Sequence, residues 1–178
     1  SDVGDVSMPM KGEYRNIAAE IEKTAKKSAA DTVLQDTNTV KRREISIMII
    51  DPDAQMREFL SLALSRHYLD IHTEENAEKA KQTLDNGERI DLIISDAAVG
   101  IDLCGELRNE ERFCHIPVIL LSSSDNLSLK VSGIGKGADI FLEKPVEIEY
   151  LITRINGILD KRKMIWDSFS KRPYAPLR

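Results

Sequence analysis

Three carboxylates, a hydroxyl and an ammonium stand out in this chain because each lies within three residues of the end of a short apolar run or strand pattern. They are Asp51 and Asp53 in I-S-I-M-I-I-D-P-D, Asp96 in D-L-I-I-S-D, Ser122 in H-I-P-V-I-L-L-S-S-S, and Lys144 in F-L-E-K-P. Carboxylates brought close together repel, and a hard divalent cation with oxygen ligands relieves that repulsion. A carboxylate can also attack a phosphoryl group and become an aspartyl phosphate. That product carries roughly −1.5 to −2 charge by analogy with other phospho side chains, so it calls for a cation, a lysine and a hydroxyl nearby. In such chemistry Asp96 is the acceptor, Lys144 the ionic partner and Ser122 the hydroxyl that moves toward the phosphate. The plainer alternative for Asp51-Pro52-Asp53 is a helix start with Asp51 or Asp53 as the N-cap, and Ser122 reads equally as a cap.

Convergence of these groups requires particular elements. Apolar runs place strands at Ile45–Ile50, Leu69–His72, Asp91–Ser95, Pro117–Leu121 and Ala138–Leu142. Helical spacing falls between them at Ala54–His67, Asn76–Asp85, Ile101–Arg112 and Asn126–Lys136, with a last helix near Glu147–Lys163. Strand–helix alternation with Val/Ile/Leu-rich strands implies a parallel sheet covered on both faces. Ligands of such sheets bind beyond the carboxyl ends of the strands, where all four segments lie.

The rest of the 178 residues sets bounds. Residues 1–43 are polar and lack a strand pattern; a thin apolar stripe predicts a linker helix from about Glu13 to Ala29. A net charge of −5 gives no general attraction to nucleic acid. No apolar run approaches the roughly 20 residues of a membrane span, so a cytoplasmic protein, or the cytoplasmic part of a membrane-bound sensor, is expected. Cys104 and Cys114 form no disulfide framework and are expected to be buried.

The order and spacing of Asp51, I-I-S-D at Asp96, H-I-P-V-I-L-L-S at Ser122 and G-A-D-I-F-L-E-K-P resemble a response-regulator receiver domain over residues 44–163. The resemblance implies a flavodoxin-like doubly wound five-stranded sheet of order 2-1-3-4-5. It also implies Asp96 as phosphoacceptor, Ser122 as switch hydroxyl, Phe141 as rotating aromatic and Lys144 as the invariant lysine. A cis Lys144–Pro145 bond is a further expectation. Such a domain is a signalling module of a two-component phosphorelay, not an enzyme. It takes phosphate from a histidine kinase domain in the same or another chain, uses Mg2+, and pairs through the face of the fourth helix, fifth strand and last helix. M-R-E-F-L and the final helix are similar to receivers of hybrid histidine kinase–regulator proteins. In those, residues 164–178 would lead to an output domain, often DNA-binding and of the AraC type.

Three departures qualify the resemblance. Pro52 stands where the family carries a second acid, leaving a metal set of Asp51, the displaced Asp53, Asp96 and the Ala98 carbonyl. The loop after Asp96 is about four residues short, close to one helical turn of 3.6 residues, so the apolar phase downstream is kept. Gly133, Gly135 and Gly137 predict a short fourth helix ended by Gly137. The reading is therefore a receiver degenerate at its metal site that acts as a regulatory interaction module, with an active receiver phosphorylated on Asp96 as the alternative. A remote alternative is a haloacid-dehalogenase-like phosphatase, which I-M-I-I-D-P-D resembles although Gln55 departs from that motif.

Overall fold

Ile47, Met48, Ile49 and Ile50 are all fully buried, and their alternation sends Ile47 and Ile49 to one side of a sheet and Met48 and Ile50 to the other. A strand apolar on both faces has to be covered on both. The computed structural model describes residues 41–171. Its strands are β1 (Arg43–Ile50), β2 (Tyr68–Glu74), β3 (Leu92–Asp96), β4 (Val118–Ser122) and β5 (Ile140–Glu143). Between and after them run α1 (Ala54–Leu64), α2 (Ala77–Asp85), α3 (Ala97–Arg108), α4 (Leu127–Gly135) and α5 (Ile148–Ser170). All strand pairs are parallel, in the order β2-β1-β3-β4-β5. This is the flavodoxin-like winding that the family resemblance implied. The core lies in two layers: α2 and α3 cover Met48, Ile93 and Leu120, and α1 and α5 cover Ile47, Ile94 and Ile119.

The difference from the sequence reading that bears most on the rim is at α3. It starts at Ala97, with Asp96 as its N-cap, rather than at Ile101. The short loop is absorbed by running strand straight into helix, which draws the helix down onto the sheet. Gly100 makes this fit: a Cβ there would lie 2.5 Å from Ser95 Oγ and 2.7 Å from Leu120 Cδ2. Gly133 does the same for α4, where a Cβ would lie 2.9 Å from Leu120 Cδ1 and 3.3 Å from Phe141. Two glycines thus admit one leucine.

Other helix ends moved as well. α1 stops at Leu64, not His67, and α3 at Arg108, not Arg112. As expected, Gly137 ends α4: at φ +98° it allows Ala138 N–H to reach Gly133 O at 3.1 Å and Gly137 N–H to reach Ile134 O at 3.0 Å. α5 continues to Ser170 instead of stopping near Lys163, because no glycine or proline interrupts K-R-K-M-I-W-D-S-F-S. The Lys144–Pro145 peptide is cis. Cys104 is buried, but Cys114 is exposed in the turn after α3, correcting the expectation for that thiol. The helix expected at Glu13–Ala29 lies outside the described residues, as do residues 172–178 of the expected tail. Arg43 belongs to β1 rather than to a linker.

Candidate functional site

The strand order reverses between β1 and β3, and there the carboxyl ends of the strands form a crevice. Asp51 leaves β1 and Asp96 ends β3, so the topology sets two carboxylates at its mouth. Lys144, one residue beyond β5, closes the group. Its Nζ donates to Asp51 Oδ2 at 2.8 Å and to Asp96 Oδ1 at 2.9 Å. The remaining oxygens are engaged by main chain: Asp53 N–H donates to Asp51 Oδ1 at 2.9 Å, and Ala98 N–H to Asp96 Oδ2 at 3.1 Å. Every carboxylate oxygen of Asp51 and Asp96 therefore has a donor.

The Lys144, Asp51 and Asp96 side chains are 14%, 3% and 14% exposed, so solvent screens them little. Burial alone would lower the Lys144 pKa, but hydrogen bonds and charge from Asp51 and Asp96 outweigh it and leave the ammonium above the ordinary lysine value. Two buried negative charges share one positive charge. A second cation, which the sequence reading did not single out, lies close by: Arg57 donates from Nη1 to the Asp51 carbonyl at 2.6 Å. Its signal in the sequence is its place in the first turns of α1, beside the rim.

The other expected site residues have local partners. Asp53 is exposed and caps α1, accepting from Gln55 N–H at 2.9 Å. Its carboxylate is engaged by the first turn of α1, whereas Lys144 bonds Asp51 and Asp96. Ala98 sits in the first turn of α3 with its N–H toward Asp96; a helical carbonyl points along the axis toward the C-terminus. The Ser122 hydroxyl is buried and engaged within its own loop, donating to Ser124 O at 3.1 Å and accepting from Ser124 N–H at 3.2 Å. Phe141 is partly buried in the layer under Gly133. Mg2+ takes near-octahedral oxygen ligands at roughly 2.0–2.1 Å. Pro52 offers none, Asp53 caps α1, and each oxygen of Asp51 and Asp96 already accepts one hydrogen bond. Among the described residues, no group of three or more His, Cys, Asp or Glu side chains is arranged to hold a metal ion.

A family model described as the response regulator receiver domain matches residues 47–156. The heme response regulator HssR of Staphylococcus epidermidis is 30% identical over 128 residues, covering 70% of this chain and 55% of that protein. Histidine kinase P4 of Formosa agariphila is 30% identical over 141 residues, covering 77% of this chain and 10% of the kinase. The chain thus spans about half of one curated relative and a tenth of the other. A response regulator receiver protein from Pseudomonas putida matches with a TM-score of 0.59 at 30% identity, covering 65% of this chain and 98% of that one. The signal receiver domain of an HD domain-containing protein from Pseudomonas fluorescens, at 24% identity and a TM-score of 0.63, covers 68% of this chain and 99% of its own and shares the fold.

Proposed function

The chain belongs to the response regulator receiver domain family, and on that premise we propose that its receiver is a regulatory interaction module whose acid rim no longer takes up Mg2+ or depends on phosphate at Asp96. Receiver domains are generally signalling modules, and the two-component role follows from family membership. The observation that carries the further step is Lys144 lying between Asp51 and Asp96 while main-chain N–H groups take their other oxygens. For Asp96 to attack a phosphoryl group, an oxygen already accepting a hydrogen bond has to do so, and the developing charge needs a cation besides Lys144. Pro52 removes the ligand that would recruit it. With α3 beginning at Ala97, no loop carbonyl stands where the family supplies one.

A module of this kind works through contacts. The α4–β5–α5 face exposes Leu127, Val131 and Ile134 along α4 and Tyr150 on α5. It is the surface we assign to a histidine kinase domain, in the same or another chain, or to a second receiver. Among the described residues, no helix is long and apolar enough to cross a membrane.

The test is direct. The full chain is incubated with a small-molecule phosphodonor and Mg2+ and its intact mass measured, with Asp96→Asn alongside. The expected outcome is no phosphate on either protein and no shift of thermal midpoint with Mg2+ alone. A phosphate gained by the parent and not by Asp96→Asn would overturn the proposal in favour of an active, kinase-driven receiver.

A further inference from the structure

The opposite end of the sheet carries a feature that the rim does not use. A groove of about 1610 Å³ runs between the amino ends of the strands and α5 from Thr153 onward. Its floor is apolar, made by Ile90, Pro117 and Ile140, and its helical wall adds Ile158, Ile165 and Trp166. Ile165 and Trp166 are 48% and 74% exposed. Around this apolar strip the charge is one-sided: six lysines and arginines line the groove against two aspartates. Arg43, Arg89 and Arg162 are paired with acids. Arg154, Lys161 and Lys163 are exposed and form no ion pair among the described residues. The contrast is local, since the whole chain carries −5.

Gly157 supplies an independent observation. Glycine inside a helix is destabilising relative to alanine. Gly133 and Gly100 are explained by neighbours that a Cβ would strike, but nothing lies within 4 Å of a Cβ at Gly157. Gly157 lines the groove, and there it keeps the helix surface low, leaving room for another chain to approach the backbone.

We propose that this groove is a docking site for an acidic, amphipathic segment of a partner protein. Its apolar side chains would lie on the Ile140–Trp166 strip and its carboxylates on Arg154, Lys161 and Lys163. A second copy fits less well. A two-fold interface sets the same patch against itself, which would face those three cations with their own counterparts.

Trp166 is the sole tryptophan of the chain and reports on the groove directly. The full chain is titrated with a synthetic helical peptide carrying leucines at i, i+3, i+4 and i+7 and glutamates elsewhere. The expected result is a saturable blue shift of Trp166 emission that weakens as salt rises. Arg154→Glu, Lys161→Glu and Lys163→Glu combined should weaken binding at least tenfold, as should Gly157→Leu, with far-ultraviolet circular dichroism unchanged. Absence of a saturable shift overturns the proposal. So does an equal response to the same peptide with lysine for glutamate, or a response to a single-stranded oligonucleotide in place of the acidic peptide. A blue shift that grows with concentration of the chain alone, with a doubled mass in ultracentrifugation, would assign the groove to a second copy instead.

Discussion

Two charge triads sit at opposite ends of the sheet, and each inverts the other. At the carboxyl rim one cation, Lys144, lies between two anions, Asp51 and Asp96. At the amino end one anion, Asp139, lies between two cations, with Arg108 at 3.1 Å and Arg162 at 3.2 Å. Their surroundings differ more than their charges. The arginines are anchored independently of Asp139: Arg108 donates to Gly137 O at 3.0 Å and Ile116 O at 2.8 Å, and Arg162 donates to His115 O. The ammonium hydrogen bonds of Lys144 go to the two carboxylates. Planar guanidinium groups have donors to spare for carbonyls, and an ammonium on a flexible stem is a point charge. The amino end is redundant and braces the fold. The rim depends on one residue, and so that is where a change of charge can alter the molecule.

Removing the centre of each triad tests this contrast. Lys144→Met leaves Asp51 and Asp96 facing each other, largely buried and without their cation. Breaking such a pair costs about 3 kcal/mol, to be read as a fall in unfolding free energy in urea. Adding Asp96→Asn to Lys144→Met should recover a good part of that loss, because one of the two opposed charges is gone. A loss below about 1 kcal/mol, with no recovery in the double variant, would mean that the rim is held by its main-chain donors instead.

Asp139→Ala should cost less, about 2 kcal/mol, and for a different reason. Both arginines keep their carbonyl partners, and the cost falls on Val118 N–H, which donates to Asp139 Oδ2 at 2.8 Å and would lose its acceptor. Asp139→Asn retains an acceptor oxygen and should restore most of the stability. If Asp139→Ala proves the more damaging of the two substitutions, the amino end is not redundant and the contrast fails.

How much of this was legible in the sequence follows the same division. Five strands and the approach of Asp51, Asp96 and Lys144 could be read because apolar runs end at or just before those residues and a parallel sheet gathers its strand ends; the strand order came only from the family resemblance. The α3 start could not be read, since A-A-V-G-I-D-L-C carries helical and loop signals together. The deciding fact is steric: Gly100 lies against Ser95 and Leu120, and the contact with Leu120, 20 residues away, is one that no local spacing reveals. The Asp53 cap was one of two readings of D-P-D, and the choice rested on which carboxylate Lys144 occupied. The Asp139 triad was missed, because Arg108, Asp139 and Arg162 are separated by 31 and 23 residues and match no motif.

The smallest expected effect sharpens the comparison by asking which end loosens first as pH rises. Tyr68 begins β2 at the amino end, is 1% exposed, and donates its hydroxyl to Asn156 Oδ1 at 2.8 Å. Burial pushes its pKa up, Arg43 pulls it down and Asp160 raises it again, leaving it at about 12 against an ordinary value near 10. Between those values the folded protein holds a proton that the unfolded chain has released, so stability falls as pH rises, by about 1.4 kcal/mol by pH 11. Lys144 is also raised, so its contribution is complete below the ordinary lysine range and fades only above it, at higher pH than the onset for tyrosine. Tyr68→Phe keeps the ring buried and removes the titrating proton. Its hydrogen bond is lost, but Asn156 keeps Arg43 Nη1 at 3.1 Å, so stability at pH 7 should change by less than about 1 kcal/mol. Urea midpoints measured from pH 9 to 11.5 should then fall less steeply for Tyr68→Phe than for the parent. Parallel curves would show that the phenol titrates freely and that the amino end is no more sensitive to alkali than the rim.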